Sequence, residues 1–359
     1  MDKGENMKNI IFREKKLIGR EKEIDFIKQW LEKIPDEILW IFGPKSTGKT
    51  TLIEYVVENE LFDDFKLFKS SKYEVKYINF RRKSVYNYDS FINSMLLIDD
   101  NKLDKKLKMA FSLGMFNIEY ELYNQIKEKR IDLFDTLLEK IKGSKKRFVL
   151  IIDEIQVLEE LYMNGEKEVL KEFLNFCVRL TKELHVSHVV ILSSNTIFIN
   201  RIYNDSKLKK TSEFYKIDHL NYETTKEWLI EEGYKEKEIK MIWDYLGGCI
   251  PDIQRMMRKK GQYDDLEEYL KREAWLAYTQ IMDFIMRNNT DKEEEVFIKI
   301  AETIITEGKF VFSSSEFKSY IPVVDKWAEK EILFFHPLTL EVAGNSRVFE
   351  KGINIFLKK

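Results

Sequence analysis

Eight residues, Gly43-Pro44-Lys45-Ser46-Thr47-Gly48-Lys49-Thr50, have the side-chain types and spacing to hold a cluster of phosphates. They fit G-x-x-x-x-G-K-[ST] at every specified position. Gly43 and Gly48 can take dihedrals closed to residues with a Cβ, so successive N–H groups can point inward. A helix beginning near Lys49 adds unpaired N–H groups and the positive end of its dipole. Lys49 is placed to reach the β- and γ-phosphates, and the Thr50 hydroxyl to ligate Mg²⁺. Pro44, Lys45, Ser46, Thr47 and Thr51 complete the candidate nucleotide-contacting set.

A second group of residues suits the reaction such a loop serves. Phe148-Val149-Leu150-Ile151-Ile152 precedes Asp153-Glu154, which reads as a fully buried parallel strand ending in two acids. Asp153 is placed to hold a Mg²⁺ shell through water, and Glu154 to polarise an attacking water. Further on, Ser194 and Asn195 follow another apolar run and are candidates to orient the water or sense the γ-phosphate. One of them can equally cap the helix beginning near Ile197. Arg81 and Arg82 lie just past a strand end, where they meet either phosphate or solvent.

These residues need a scaffold, and the chain has the length for it. At 359 residues, two or three domains are expected. Lys+Arg is 60 and Asp+Glu is 62, so the net charge of -2 excludes a polybasic nucleic-acid binder overall. Cys177 and Cys249 are far apart, which disfavours a disulfide framework or a thiolate zinc site. The His185/His188 pair sits at a turn into a strand and is not read as a metal site. No apolar core of a signal peptide and no run near 18 apolar residues is present, so a cytoplasmic protein without a membrane span is expected.

Periodicity places the elements. A helix over residues 21–33 carries Ile24, Ile27 and Leu31 at helical spacing, and Ile18 and Gly19 just before it are candidates for base contact. Strands are predicted over residues 38–42, 75–80, 148–152, 186–192 and 214–217, with a helix over 50–59 under the phosphates. Residues 88–142 read as a long, mostly helical crossover, interrupted near residues 111–116 by a hairpin, a partner-facing loop or a buried turn. The domain boundary falls at about residue 220. Residues 221–276 are helical with a break at Gly247-Gly248, suiting a lid. Beyond them come a helix over 293–305, a capped helix after Ser313, a short helix over 322–330, and strands over 332–335 and 348–356. Helices with a two-stranded wing predict a winged-helix domain. The expected division is 1–220, 221–288 and 289–359.

This pattern resembles the archaeal ATPase family, on the signal-transducing (STAND-like) side of the AAA+ superfamily and close to origin-recognition type ATPases. The resemblance covers about residues 12 to 300. It rests on Ile18-Gly19-Arg20-Glu21, the loop Gly43 to Thr50, Asp153-Glu154-Ile155-Gln156 with its strand, Ser193-Ser194, and Gly247-Gly248-x-x-Pro251. It implies an α/β AAA+-type P-loop core with a parallel sheet of order 5-1-4-3-2, a small helical lid, a C-terminal winged helix, and ATP or ADP with Mg²⁺. It implies further that Gly19 and Arg20 lie near adenine and ribose, and that the Pro251 region contacts ADP from the lid. Two departures stand out. Pro251 is followed by Asp252, with Arg255 one turn on, and the region after Ser194 offers Lys207, Lys209 and Lys210 where relatives often have arginine. Arg201 is the nearest arginine left.

The expected function is Mg²⁺-dependent ATP binding and hydrolysis coupled to movement of the lid and C-terminal domain. Lys49, Asp153, Glu154, Ser194 and Asn195 would carry the chemistry. The alternatives are a slow nucleotide-gated switch that binds a protein partner, and a DNA-binding ATPase, which the near-neutral charge does not favour. The expected state is a monomer or a nucleotide-dependent homo-oligomer.

Overall fold

Ile38–Phe42 (β1) has every side chain buried. Ile38, Trp40 and Phe42 enter one hydrophobic cluster, while Leu39 and Ile41 enter another. Strand side chains alternate between faces, so such a run requires cover on both sides. The computed structural model supplies that cover. It describes all residues except 1–9, 14, 68, 81–84, 99–115, 119, 129–130, 160, 164–166, 206, 264 and 289. Arg81, Arg82 and the expected break at residues 111–115 therefore lie outside the described residues.

Tyr73–Asn79 (β2), Arg147–Asp153 (β3), Ser187–Ser193 (β4) and Ser212–Lys216 (β5) join β1 in a parallel sheet of order 5-1-4-3-2, as expected. Helices Glu21–Glu32 (α1) and Lys49–Val56 (α2) cover the Leu39/Ile41 face. Tyr88–Met95 (α3), Tyr120–Lys127 (α4), Leu133–Gly143 (α5), Val169–Val178 (α6) and Thr196–Asp205 (α7) cover the other. Each fully buried Leu, Ile or Phe contributes about 1.5–3 kcal/mol relative to exposure. α2 and α6 each widen at their ends into a π-helical turn, Val57–Leu61 and Arg179–Glu183.

Asn221 opens the next unit: its side chain accepts the Thr224 N–H at 2.9 Å and caps Tyr222–Glu231 (α8). Glu236–Leu246 (α9) and Ile250–Arg258 (α10) follow, packed around Trp228, Leu229, Ile242 and Met256. The long helix Leu266–Asn288 (α11) belongs to two cores. Tyr269 and Leu270 complete the lid cluster, while Ile281, Phe284 and Ile285 enter the C-terminal one. Asp291–Glu307 (α12), Ser314–Glu329 (α13) and an antiparallel sheet of Phe310–Val311 (β6), Glu341–Gly344 (β8) and Leu333–Phe335 (β7), in that spatial order, build the C-terminal unit. Among the described residues no helix is long and apolar enough to cross a membrane.

Two expectations here are corrected. Residues 348–356 are not a wing strand. They form the helix Arg347–Leu357 (α14), and β8 pairs with β7 instead. The apolar residues Val348, Phe349, Gly352, Ile353, Phe356 and Leu357 recur at helical spacing, which the β-forming types obscure. Gly352 lets α14 approach α11 closely: a Cβ there would lie 2.8 Å from the Tyr278 backbone nitrogen. The two helices expected after Ser313 are one, with Pro322 in its interior. The carbonyl that loses its donor there belongs to Lys318, whose residue is exposed and within reach of water.

His188 lies buried at the opposite end of the sheet, its ring edge-on to Trp30 and its Nε2 bonded to the Lys33 carbonyl at 3.1 Å. Burial lowers its pKa to about 4. The unfolded chain takes up this proton near 6.5 and the folded chain only near 4, so stability falls as pH drops through that window. The full effect is about 3 kcal/mol. Replacing His188 with Asn should flatten this part of the pH–stability curve, measured by urea unfolding between pH 7 and 4; an unchanged slope would refute the assignment.

Candidate functional site

The loop that follows β1 is shaped by close approach. Gly43 has φ +146, and a Cβ on it would sit 2.0 Å from the Ile217 carbonyl oxygen, just past β5. Gly48, at φ +86, is the residue from which α2 starts. Between them Thr47 is buried and its hydroxyl donates to the Pro44 carbonyl at 3.0 Å, while Ser46 is exposed. The Lys49 ammonium is also buried and donates to the carbonyls of Gly43 and Pro44 at 3.0 and 2.7 Å. Thr50 donates its hydroxyl proton to Asp153 Oδ2 at 2.8 Å. Thr51 is the next residue of α2 and is exposed.

Asp153 ends β3 and is 3% exposed. Asn79, directly opposite it on β2, donates to the same Oδ2 at 2.9 Å, and the Tyr77 hydroxyl approaches at 3.4 Å. Glu154 follows in the left-handed region, with φ 62 and ψ 46, a conformation costing about 1–3 kcal/mol that functional sites often hold. Its N–H donates to the Leu192 carbonyl of β4 at 3.2 Å, and its carboxylate accepts from Gln156 Nε2.

At the end of β4, Asn195 caps α7, accepting the Phe198 N–H at 2.9 Å. Ser194 lines a cavity with Lys45, Glu154 and Asn195. Lys45 pairs with Glu331, which sits at φ +62 just before β7, so the far wall of this cavity comes from the C-terminal unit. On the other side of Lys45 a second cavity is lined by Ser46, His219, Pro251, Asp252 and Arg255. Pro251 is in the first turn of α10. Arg255 faces Asp252 at 3.5 Å and Glu273 at 3.6 Å. His219 donates from Nε2 to the Asn345 carbonyl at 2.9 Å, and burial pushes its pKa down.

The structure thus brings together Lys45, Lys49, Thr50, Asp153, Glu154, Ser194 and Asn195. The residues before α1 join the loop to the helices that follow β5. Ile18 is buried in the lid cluster beside Leu220, and Gly19 lies against Thr224 of α8. Arg20 is 4% exposed and works as a strut: Nη2 donates to the carbonyls of Thr47 and Asp218 at 2.9 and 2.8 Å, and Nη1 to Glu23 at 2.7 Å. Arg201 pairs with Glu159 along a separate groove. Cys177 and Cys249 are buried free thiols, and no group of three or more metal-ligating acids, histidines or cysteines occurs among the described residues. Asn79, Gln156 and Glu331 were not anticipated as site residues. The apolar run ending in Asn79 hints at the first, and the Asp-Glu-x-Gln spacing at the second. Glu331 lies 286 residues from Lys45 and leaves no local signal.

A doubly wound parallel sheet with this loop at one strand end and acids at another defines a P-loop ATPase with a helical lid. Residues 17–256 match the ATPase domain family found predominantly in Archaea. An uncharacterized ATP-binding protein of Methanocaldococcus jannaschii is 32% identical over 88% of this chain and 92% of its own length. Another, from Pyrococcus abyssi, is 30% identical over 89% and 92%. The fold is similar to that of a Walker-type ATPase of Pyrococcus abyssi, with TM-score 0.62, 13% identity and coverage of 94% and 96%. The chain belongs to this predominantly archaeal family of ATPases.

Arg20 gives a direct check on the loop's support. A hydrogen bond from a charged group contributes about 1.5–3 kcal/mol, and lysine lacks the fork by which the guanidinium holds both carbonyls through Nη2 and Glu23 through Nη1. Arg20→Lys should lower unfolding stability by about 2 kcal/mol and weaken ATP binding. Urea melts and nucleotide titration that both match the wild type would exclude the strut.

Proposed function

We propose that this protein binds ATP with Mg²⁺, hydrolyses it to ADP and phosphate, and passes the state of the nucleotide to its lid and C-terminal unit. The observation that carries the reading is a single cavity. One wall holds Glu154, Ser194 and the loop residue Lys45; the other holds Glu331 and Asn345 of the C-terminal unit.

The Thr50 hydroxyl and the Asp153 carboxylate, 2.8 Å apart, form a pair of hard oxygen donors. This fits Mg²⁺, which binds through one or two protein oxygens and substrate phosphates and keeps several waters. When bound, the ion would neutralise charge on the phosphate oxygens. The protein groups do the rest. Lys49 and the N–H groups of the loop hold the phosphates. Asp153 is held in place by Thr50 and Asn79. Glu154 accepts a hydrogen bond from water, whose oxygen attacks the γ-phosphorus in line. The bond from that phosphorus to the bridging oxygen breaks, ADP leaves with the bond's electrons, and the water proton passes by way of Glu154 to solvent. Ser194, which lines the cavity with Glu154, would contact the terminal phosphate.

Lys45 and Glu331 give this chemistry an outlet. A γ-phosphate entering beside Lys45 competes with the Glu331 carboxylate for the same cation. Both side chains are about two-fifths exposed, so the pair contributes no more than about 1 kcal/mol. It therefore tunes the closed arrangement of the C-terminal unit.

Two outcomes follow. Glu154→Gln should lower the turnover number for ATP by about a hundredfold or more while ATP binding persists, measured by phosphate release and nucleotide titration. Equal turnover in mutant and wild type, or none in either, would refute the hydrolytic reading. Glu331→Gln should tighten ATP binding about two- to fivefold, the range set by an ion pair of this exposure. Weakened or unchanged binding would refute the competition.

A further inference from the structure

Gln156 stands two residues beyond Glu154, in the tight helical turn Ile155–Leu158. Its amide is held at both ends. Ser193 Oγ donates to Oε1 at 3.2 Å, and Nε2 donates to Glu154 Oε2. Ser193 is the last residue of β4 and is 1% exposed. Its Oγ accepts the backbone N–H of Asn195 at 3.1 Å.

These bonds have a fixed direction. A serine hydroxyl has one proton to give. The Asn195 N–H points at the oxygen, so the proton is directed to the Gln156 carbonyl oxygen; the Asn195 carbonyl, at 3.4 Å, is the more distant acceptor. The Gln156 oxygen therefore faces Ser193 and its NH₂ faces Glu154. Flipping the amide would set its oxygen against a carboxylate, acceptor to acceptor. Ser193 and Glu154 thus hold the two ends of the Gln156 amide.

We propose that Gln156 is a positioning residue for ATP hydrolysis, fixing the Glu154 carboxylate and tying it to the end of β4. The proposal rests on the reading of Glu154 as the group that orients the attacking water. A carboxylate offers about four acceptor positions, so the amide bond orients the group without exhausting it. Gln156 lines the same cavity but cannot take up a proton itself.

The test uses the full chain and Mg²⁺–ATP. Gln156→Glu replaces the donor with a second carboxylate against Glu154, and like charges repel. Its kcat should fall by about tenfold or more, because the bond that orients Glu154 is lost. Gln156→Ala should lower kcat about tenfold with little change in KM, as expected when orientation is lost and binding is kept. Ser193→Ala should lower kcat in the same direction, and Ser193→Thr, which keeps the hydroxyl, should recover it. Melting curves with and without ATP establish that each variant folds and binds. An unchanged kcat in both Gln156→Glu and Gln156→Ala overturns the proposal. If Glu154→Gln is inactive while both Gln156 variants behave as wild type, only this proposal falls. If Glu154→Gln matches wild type, the reading of Glu154 falls and the proposal falls with it.

Discussion

A carboxylate buried at the end of a parallel strand stays charged only if donors meet it. Asp153 is met by Thr50 from α2, by Asn79 from β2 and, at longer range, by Tyr77. Leaving a buried charge without partners costs several kcal/mol. That cost imposes three requirements together. The loop from Gly43 to Gly48 must close enough to deliver Thr50. β2 must lie beside β3 in the register that sets Asn79 opposite Asp153. The apolar run before Asp153 must be covered on both faces to hold the strand end still. Much of the core can be read as the scaffold that satisfies one oxygen atom.

The outer units are held by different forces. α11 contributes residues to the lid core at one end and to the C-terminal core at the other, so the two units share a continuous rod. Ile197 of α7 is buried in the C-terminal cluster, and Phe334 of β7 is buried in the cluster of the ATPase core. These exchanged apolar residues contribute more than a half-exposed ion pair does. Polar contacts such as Lys45–Glu331 and His219–Asn345 are therefore adjustable. They can change partner without dissolving the interface, as the proposed coupling requires.

What could be read from the sequence follows from how local each signal is. The phosphate loop, β1, β3 and the Asp153-Glu154 pair are short patterns complete in themselves, and the 5-1-4-3-2 order came from family resemblance carried by those patterns. Residues 348–356 misled because Val348, Ile353 and Phe356 are strand formers by type while their spacing is helical. Burial of Gly352 against α11 decided the matter, and no sequence window contains α11 and α14 together. Asn79 and Gln156 acquire roles only once β2, β3 and β4 are in register. Arg20 adds a structural role: the resemblance sets it near adenine and ribose, and its guanidinium donates to the carbonyls of Thr47 and Asp218.

The two lysines of the loop divide its work according to what each faces. Lys49 is 8% exposed and bonded to neutral carbonyls within its own loop. Phosphate oxygens carry charge and make stronger hydrogen bonds to ammonium than carbonyls do. Lys45 is half-buried and already bonded to a full negative charge from 286 residues away. A phosphate gains less there, because a carboxylate must be displaced. The same displacement reaches the C-terminal unit, because an anion arriving beside Lys45 also repels Glu331 across a distance too short for salt to screen. In the proposed function Lys49 serves binding and Lys45 signalling, although both belong to the same eight residues.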